Sequence, residues 1–275
     1  MNLPADIKLP EDKPETVDDY VAVVEDRLKM DLTAVEATRY EDVTRAAKEG
    51  IENSEFWTSF RNIYRTLEDQ YKAQKGYDLF TIAPQEEIVI KPYTSMLGKS
   101  YRKNVINNDN YPAAPDDGWS VPPNWFSTTN DIVRTSVVVK YLDGVDFLVD
   151  YLETLAKDSQ CNFRSDFEAR MEGYYAAQTY IGIECEVPSE TFDTEITNFS
   201  FEVEITTQLQ DVIKRLLHHH YEKRRLAISD DNVSKPWQWD YRSDEFAVNY
   251  LGHILHYLEG MIMEVRIKQG LGEGE

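Results

Sequence analysis

The sequence predicts an α/β or α+β fold, in which a mixed central β-sheet of about five strands is flanked by helices and extended by helices at both chain ends. Three observations predict it. Apolar residues recur at helical spacing over the first 75 residues, short strand-like runs alternate with amphipathic helices in the middle of the chain, and helical spacing returns near the end. We divide the chain into a helical region at 1–80, a core at 81–228 and a C-terminal helical extension at 229–275.

Each predicted element follows from local spacing. Two or three amphipathic helices are expected in the first region, including apolar stretches at 17–28 and 56–67. Strands are predicted at 88–90, 132–141, 179–187 and 199–206. Helices are predicted at 92–106, where Pro92 opens the element, and at 145–155, 209–221 and 246–267. The stretch 108–129 holds four Pro residues and is expected to be a lid, a binding loop or disorder.

Composition excludes several classes of protein. The 50 acidic residues outnumber the 29 basic ones, for a net charge of −21, which argues against broad nonspecific binding to nucleic acid and against DNA as a partner. Cys161 and Cys185 form neither a CxxC pair nor a zinc pattern, so reduced thiols are expected. No apolar run is long enough to span a membrane, and the first residues lack the features of a signal peptide. The sequence therefore predicts a soluble, cytoplasmic protein.

Two neighbouring carboxylates are candidates for a metal site. In the alternating run 201–205, period 2 places Glu202 and Glu204 on one face of a strand. Asp131 precedes the Val-rich strand and could reach the same cleft. Such carboxylates suit Mg²⁺, which takes one or two of them together with substrate phosphates. The alternative is an ordinary solvent-facing strand.

Four cations lie within 13 residues of this acidic chain: Lys91, Lys99, Arg102 and Lys103. On a regular helix, Lys99 shares a face with Arg102 and Lys103. Like charges on one face require an anion, which is either a triphosphate or the protein's own surplus carboxylates. The glycine-rich signatures of P-loop and dinucleotide-binding folds are absent from the sequence.

An aromatic pair follows a glycine in Gly173-Tyr174-Tyr175, before a predicted strand. This arrangement offers a flexible hinge and a ring that could stack on a base, although such a pair also suits a core. The three consecutive histidines at 218–220 point in directions about 100° apart on a helix and cannot chelate one metal.

Taken in chain order, these pieces resemble the synthetase domain of the RelA/SpoT family, in particular its small single-domain members. The matching residues are Lys91, Ser95 and Lys99 in the nucleotide-binding stretch, Asp131 at the start of a strand, Gly173-Tyr174 before a strand, Glu202 in the strand 202–207, and His218 in the helix after it. The segments 91–107 and 131–135 and the Trp-containing C-terminal helices are most similar to the toxic branch of small alarmone synthetases.

The chain departs from the family pattern at several positions. Val89 stands where the family usually has Arg, and Ala176 and Gln178 stand where it has Ser and His. Glu204 and Thr206 replace a Gln and an Arg of the strand. These departures bear on how ATP is held and on which acceptor is chosen.

The resemblance implies a nucleotidyltransferase-like fold and an Mg²⁺-dependent ATP pyrophosphokinase, which transfers the β,γ-pyrophosphate of ATP to a ribose 3′-hydroxyl. It implies Asp131 as a metal ligand and Glu202 as general base and second ligand. The residues implied at ATP are Lys91, Ser95, Lys99 and Arg102, and those at the acceptor are Tyr174, Gln178 and His218.

Two acceptors stay open, namely free GDP or GTP, as in alarmone synthesis, and the tRNA 3′ end, as in a growth-inhibiting toxin with an antitoxin partner. Lys214, Arg215 and the cations at 223–225 could form a local track for tRNA. The alternative to an enzyme is a catalytically idle module that senses a nucleotide or binds a protein.

Overall fold

The computed structural model describes residues 9–81, 87–189, 193–215 and 236–269. Its helices are α1 (Val17–Leu28), α2 (Val35–Glu52), α3 (Glu55–Lys75), α4 (Tyr93–Tyr101), α5 (Trp125–Thr128), α6 (Leu142–Asp158), α7 (described over 208–215) and α8 (Asp244–Lys268). Its strands are β1 (Val89–Ile90), β2 (Val133–Val139), β3 (Asn162–Ala169), β4 (Tyr175–Pro188) and β5 (Thr194–Thr207). A π-helical turn at Arg102–Ile106 continues α4, and 3₁₀ turns lie at Pro122–Asn124 and Trp237–Trp239.

The strands form one mixed sheet in the order β1-β2-β5-β4-β3. The predicted five-stranded sheet with flanking helices is therefore confirmed. The strand predictions missed β3, which lies at an edge of the sheet and has no buried residue. In the described residues, no helix has the length and apolar composition needed to cross a lipid bilayer.

The chain packs into two compact units. The first contains 1–54, 88–134 and 181–202, and the second contains 55–87, 135–180 and 203–275. These two units are defined by how the chain packs. The division of the sequence into 1–80, 81–228 and 229–275 stays a prediction.

In the first unit, α1 begins with a capping box. The Thr16 hydroxyl accepts from the backbone N–H of Asp19, and the Asp19 carboxylate accepts from the backbone N–H of Thr16. The buried face of α1 packs against the end of α4 and against Trp119 and Val121 of the Pro-rich stretch. Asn104 reinforces this contact, because its amide donates to the Tyr20 hydroxyl at 2.6 Å.

This packing rules out one of the three expectations for 108–129, namely disorder. The stretch is a packed part of the first unit and contains two short helical turns. Trp119, Val121 and Trp125 are each buried, so they act as core residues. The apolar area that these three side chains remove from water stabilises the irregular backbone around them.

In the second unit, α3 and α6 pack against each other through apolar faces. The buried side chains include Phe60 and Leu67 of α3 and Leu148 and Leu152 of α6. The helix α8 begins after Ser243, whose hydroxyl accepts from the backbone N–H of Phe246.

Candidate functional site

Strand pairing brings Lys91 next to the start of β2. The strands β1 and β2 are antiparallel, with Val89 opposite Arg134 and Ile90 opposite Val133. One residue further along, the backbone N–H of Lys91 donates to the carbonyl of Ile132 at 2.8 Å. Asp131 directly precedes Ile132 in the chain, so its side chain lies within reach of Lys91.

Asp131 binds two lysines at once. The Lys91 ammonium donates to Oδ2 of Asp131 at 2.7 Å, and the Lys99 ammonium donates to Oδ1 at 2.7 Å. Pro92 is the N-cap of α4 and favours extended backbone at Lys91 before it, and Lys99 lies about two turns into that helix. We call these three residues the Lys91–Asp131–Lys99 cluster.

The electrostatics of the cluster favour an anion. Burial by itself raises the pKa of Asp131, but the Lys99 and Lys91 ammonium groups outweigh it and hold that pKa at about 2. Burial also lowers the pKa of Lys91, against the opposing effect of Asp131. With both lysines protonated, two positive charges face one negative charge, so the cluster keeps an excess cation in a chain of net charge −21.

The remaining residues predicted at ATP lie on or directly after α4. Ser95 is exposed on that helix. Arg102 opens the π-helical turn, and its Nη1 lies 3.5 Å from the position that a Cβ on Gly98 would occupy. Regular α-helical spacing ends at Tyr101, and Lys103 lies in the π-helical turn that follows, so the prediction that it shares a face with Lys99 stays a prediction.

Glu202 is a buried carboxylate in β5, the strand next to β2 in the sheet. Its residue is only 6% exposed, and its neighbours Phe201 and Val203 are fully buried. The alternative prediction, in which Glu202 faces solvent, is therefore wrong. A buried carboxylate needs a polar partner or a functional reason, since desolvation of the charged form is costly.

In the second unit, Tyr174 and Glu204 form a hydrogen-bonded pair. The Tyr174 hydroxyl donates to Oε2 of Glu204 at 2.8 Å, and the Lys214 ammonium donates to Oε1. Burial, together with the charge of Glu204, raises the pKa of Tyr174 far above its usual value, so the hydroxyl stays protonated. The Arg170 guanidinium lies 5.1 Å from the centre of the Tyr174 ring. The sequence indicated Glu204 as a neighbour of Glu202 in a candidate metal site and as a departure from the family pattern, and it did not reveal the contacts of Glu204 with Tyr174 and Lys214.

The turn before Tyr174 packs closely against α8, and the prediction of a flexible hinge there stays a prediction. Gly173 has a φ of +77°, and a Cβ at this position would overlap with the backbone of Asn249 and His253 in α8. The His253 imidazole also hydrogen bonds to the carbonyl of Met171 at 2.9 Å. Only glycine allows so close an approach of two backbones.

Gln178 is held by neighbouring side chains of the β3–β4 region. Its amide donates to Oε2 of Glu168 at 3.1 Å and its carbonyl accepts from the Tyr180 hydroxyl. Glu168 also binds Arg170 at 2.7 Å. The role of Gln178 at the acceptor stays a prediction.

Of the remaining residues singled out by the sequence, some lie in the part of the chain that the structure describes and others lie outside it. His218 and the cations at 223–225 lie outside the described residues. Of the predicted basic track, Lys214 binds Glu204 and Arg215 binds Asp211 at 2.9 Å. Both described members of the track therefore interact with carboxylates.

A hard cation such as Mg²⁺ fits the donor chemistry of Asp131. This carboxylate is ionised at neutral pH, and Mg²⁺ is bound in proteins by one or two carboxylates, with phosphate and water oxygens completing the shell. Across 9–81, 87–189, 193–215 and 236–269, no three His, Cys, Asp or Glu side chains converge as a complete protein-borne metal site. Asp131 thus offers one ionised carboxylate to such an ion.

No family model matches the chain, and no curated protein sequence matches it. The chain is similar to solved structures of small alarmone synthetases. Small alarmone synthetase 2 from Bacillus subtilis is 14% identical, over 85% of this chain and 98% of that one, with a TM-score of 0.47. Small alarmone synthetase 1 from Bacillus subtilis, bound to its product pppGpp, is 14% identical over 81% of this chain and 97% of that one, with a TM-score of 0.49. A GTP pyrophosphokinase family protein from Streptococcus pneumoniae is 15% identical over 82% of this chain and 96% of that one, with a TM-score of 0.48.

Proposed function

We propose that this chain is an ATP pyrophosphokinase that transfers the β,γ-pyrophosphate of ATP to the 3′-hydroxyl of a nucleotide. The observation that carries the proposal is the Lys91–Asp131–Lys99 cluster, because it combines an excess cation for phosphate with an ionised carboxylate. The succession of matching residues in the sequence agrees with this chemistry.

In the proposed ATP complex, the triphosphate competes with Asp131 for the two ammonium groups. Lys91 and Lys99 then donate to phosphate oxygens, with Ser95 and Arg102 as helpers from the same helical segment. Mg²⁺, held by Asp131 and Glu202, would supply positive charge to the transferring phosphates. The pairing of Asp131 with both lysines keeps the three side chains in one place before the nucleotide binds.

The transfer itself is a nucleophilic substitution at phosphorus. The acceptor 3′-oxygen attacks the β-phosphorus of ATP and forms the new P–O bond. The bond from that phosphorus to the α,β-bridging oxygen breaks, and AMP leaves with the electron pair. Glu202 takes the proton of the hydroxyl as general base.

The acceptor that we propose is GDP or GTP. Tyr174 offers a ring for stacking on a base, and the contact with Arg170 limits which ring face a base can use. The tRNA 3′ end is the second candidate, but Lys214 and Arg215 already interact with carboxylates, which weakens the case for a basic track.

A catalytically idle nucleotide sensor is the alternative outside enzymes. The Lys91–Asp131–Lys99 cluster is also compatible with a sensor, since the lysines would bind a nucleotide whether or not transfer follows. The buried Glu202 separates the two functions, because binding alone does not require a general base.

The test is a transfer assay with γ-labelled ATP and Mg²⁺, in which GDP, GTP and bulk tRNA are offered separately and labelled products are separated by chromatography. We expect label on GDP or GTP, and a loss of at least about 100-fold in Glu202→Gln. The matched control is Glu195→Gln, the same change at an exposed position of β5. Label on tRNA alone would replace the proposed acceptor, and ATP binding without transfer in the wild type would identify a sensor.

A further inference from the structure

The backbone of Lys91 is held at both of its polar groups. Its N–H donates to the carbonyl of Ile132 at 2.8 Å, and its own carbonyl accepts from the Tyr40 hydroxyl at 2.8 Å. Tyr40 lies in α2, 51 positions earlier in the sequence, and no sequence pattern singled it out. The lysine of the proposed ATP site is thus supported from the N-terminal helical region as well as from the sheet.

The Tyr40 hydroxyl acts as a hydrogen-bond donor at this position. Its residue is only 2% exposed. Burial, together with the negative charge of Asp131, raises the pKa of the hydroxyl above its usual value, so the proton stays on the oxygen. A carbonyl oxygen can only accept, so the direction of the hydrogen bond to Lys91 is fixed.

Aromatic packing holds the Tyr40 ring. The ring centre of Phe126 lies 5.8 Å away, with the two planes 23° apart, and that of Trp125 lies 6.2 Å away at 86°. Tyr93, the first residue of α4, lies 5.4 Å away between ring centres. Stacked and edge-to-face pairs of this kind stabilise one arrangement of the rings. The hydroxyl is therefore held in place before a nucleotide arrives.

A second hydrogen bond on the Lys91 backbone matters because the ammonium changes partners in the proposed ATP complex. Without nucleotide, the ammonium donates to Asp131. A backbone that is held at its N–H and at its carbonyl confines the exchange from carboxylate to phosphate to rotations of the side chain. Less conformational freedom is then lost when the ammonium binds phosphate.

We propose that Tyr40 is a positioning residue for ATP, which acts through the Lys91 carbonyl and touches neither the nucleotide nor the metal. The inference rests on the proposed function, because it requires the Lys91 ammonium at the ATP phosphates. The Tyr40 hydroxyl keeps the root of the Lys91 side chain in one place. The helix α2 thereby contributes to the nucleotide site through a single hydroxyl group.

Calorimetric titration of the full-length chain with Mg²⁺ and ATP, without an acceptor, tests the proposal. Tyr40→Phe keeps the packed ring and removes only the hydroxyl, and it should raise the dissociation constant for ATP about fivefold. The matched control is Tyr101→Phe, since the Tyr101 hydroxyl is also buried and donates to a backbone carbonyl, that of Pro14, at 2.8 Å. Both variants should keep the fold by circular dichroism and shift the unfolding midpoint similarly. Tyr101→Phe should change ATP affinity by less than about twofold.

A double-mutant cycle tests whether Tyr40 acts through Lys91. Lys91→Met removes the ammonium, so adding Tyr40→Phe to it should weaken ATP binding by less than about a further twofold. An undiminished effect of Tyr40→Phe in that background would reveal a route other than Lys91 and would overturn the proposal. Unchanged ATP affinity in Tyr40→Phe, or an equal loss in Tyr101→Phe, would also overturn it.

The binding measurement separates this inference from the proposed function. A wild type that binds ATP but transfers no label is a sensor, and the role of Tyr40 then stands if the variants behave as expected. A wild type that binds and transfers, with a Tyr40→Phe variant of equal ATP affinity, overturns the inference alone. A wild type that does not bind ATP overturns both.

Discussion

Lys91 and Asp131 are joined by an ion pair of 2.7 Å between residues 40 positions apart in the sequence. The backbone hydrogen bond from Lys91 to Ile132 sets the register that makes this pair, and Lys99 binds the other carboxylate oxygen. The stability of the first unit and the proposed grip on ATP thus depend on the same carboxylate.

Asp131→Asn should lower the free energy of unfolding by about 2–3 kcal/mol. It leaves two ammonium groups close together without their counter-charge, and the partial exposure of Lys99 keeps the loss below the full cost of breaking a buried pair. Chemical denaturation followed by tryptophan fluorescence measures the change. Asp42→Asn, which breaks an exposed pair with Arg45, should change stability by less than about 0.5 kcal/mol. Equal effects of the two variants would contradict the structural role of Asp131.

The contribution of Asp131 should be lost in acid. Its pKa is about 2 in the folded chain against 3.8 for the unperturbed group, so the folded state holds the proton more weakly than the unfolded state. The stabilisation is therefore complete above about pH 5 and disappears as the pH falls through 4 toward 2, by about 2 kcal/mol. The difference in unfolding free energy between the wild type and Asp131→Asn should shrink over that range. A difference independent of pH would show that the carboxylate pKa is not depressed.

Gly252→Ala and Gly260→Ala should have opposite effects, although both glycines lie in α8. A Cβ at position 252 would overlap with the carbonyl oxygen of Gly173, whereas a Cβ at position 260 meets nothing within 4 Å. We expect Gly252→Ala to lower stability by at least about 2 kcal/mol, and Gly260→Ala to raise it by about 0.5–1 kcal/mol through helix propensity. Thermal unfolding of the two variants measures both signs. A neutral Gly252→Ala would mean that the Gly173 turn is not held against α8.

Substitutions of Tyr174 should separate its ring from its hydroxyl. Tyr174→Phe keeps the ring and removes the hydrogen bond to Glu204, so the KM for the acceptor should change by less than about fivefold. Tyr174→Ala removes the stacking surface and should raise that KM by 10-fold or more, with the KM for ATP nearly unchanged. Initial rates at varied GDP and fixed ATP make the comparison. Equal KM values in the Phe and Ala variants would rule out stacking on the acceptor.

The sequence predicted the elements that have a strong apolar period and missed the strand β3, whose apolar period is weak. The helix α8 and the Val-rich β2 follow directly from spacing. The strand β3 was missed because its alternation is weak, with Phe163 and Phe167 as its only large apolar residues among charged ones such as Arg164, Asp166 and Glu168. The strand pattern also placed Glu202 correctly opposite its apolar neighbours, but period 2 cannot show that both faces of β5 are buried at this point.

The candidate site was predicted only in part, because sequence spacing does not reveal contacts across the sheet. The lysines at 91 and 99 were recognised as a cationic group, yet their shared partner Asp131 lies beyond a long irregular stretch. In that stretch Trp119 and Val121 pack into the core in spite of the prolines around them, which contradicts the expectation of disorder. The two Trp residues were the available signal, since large aromatic side chains are rarely left in solvent. The pairing of Tyr174 with Glu204 depends on tertiary packing and had no local signature.

The edges of the sheet are poor templates for further strands. At one edge, β1 is only two residues long, and at the other, β3 carries acidic and basic side chains along an exposed strand. Short and charged edges discourage the backbone pairing through which sheets of separate chains join into aggregates. The chain can thus expose apolar side chains on α8, such as Ile254 and Tyr257, without also offering an open β-edge on which a fibril could grow.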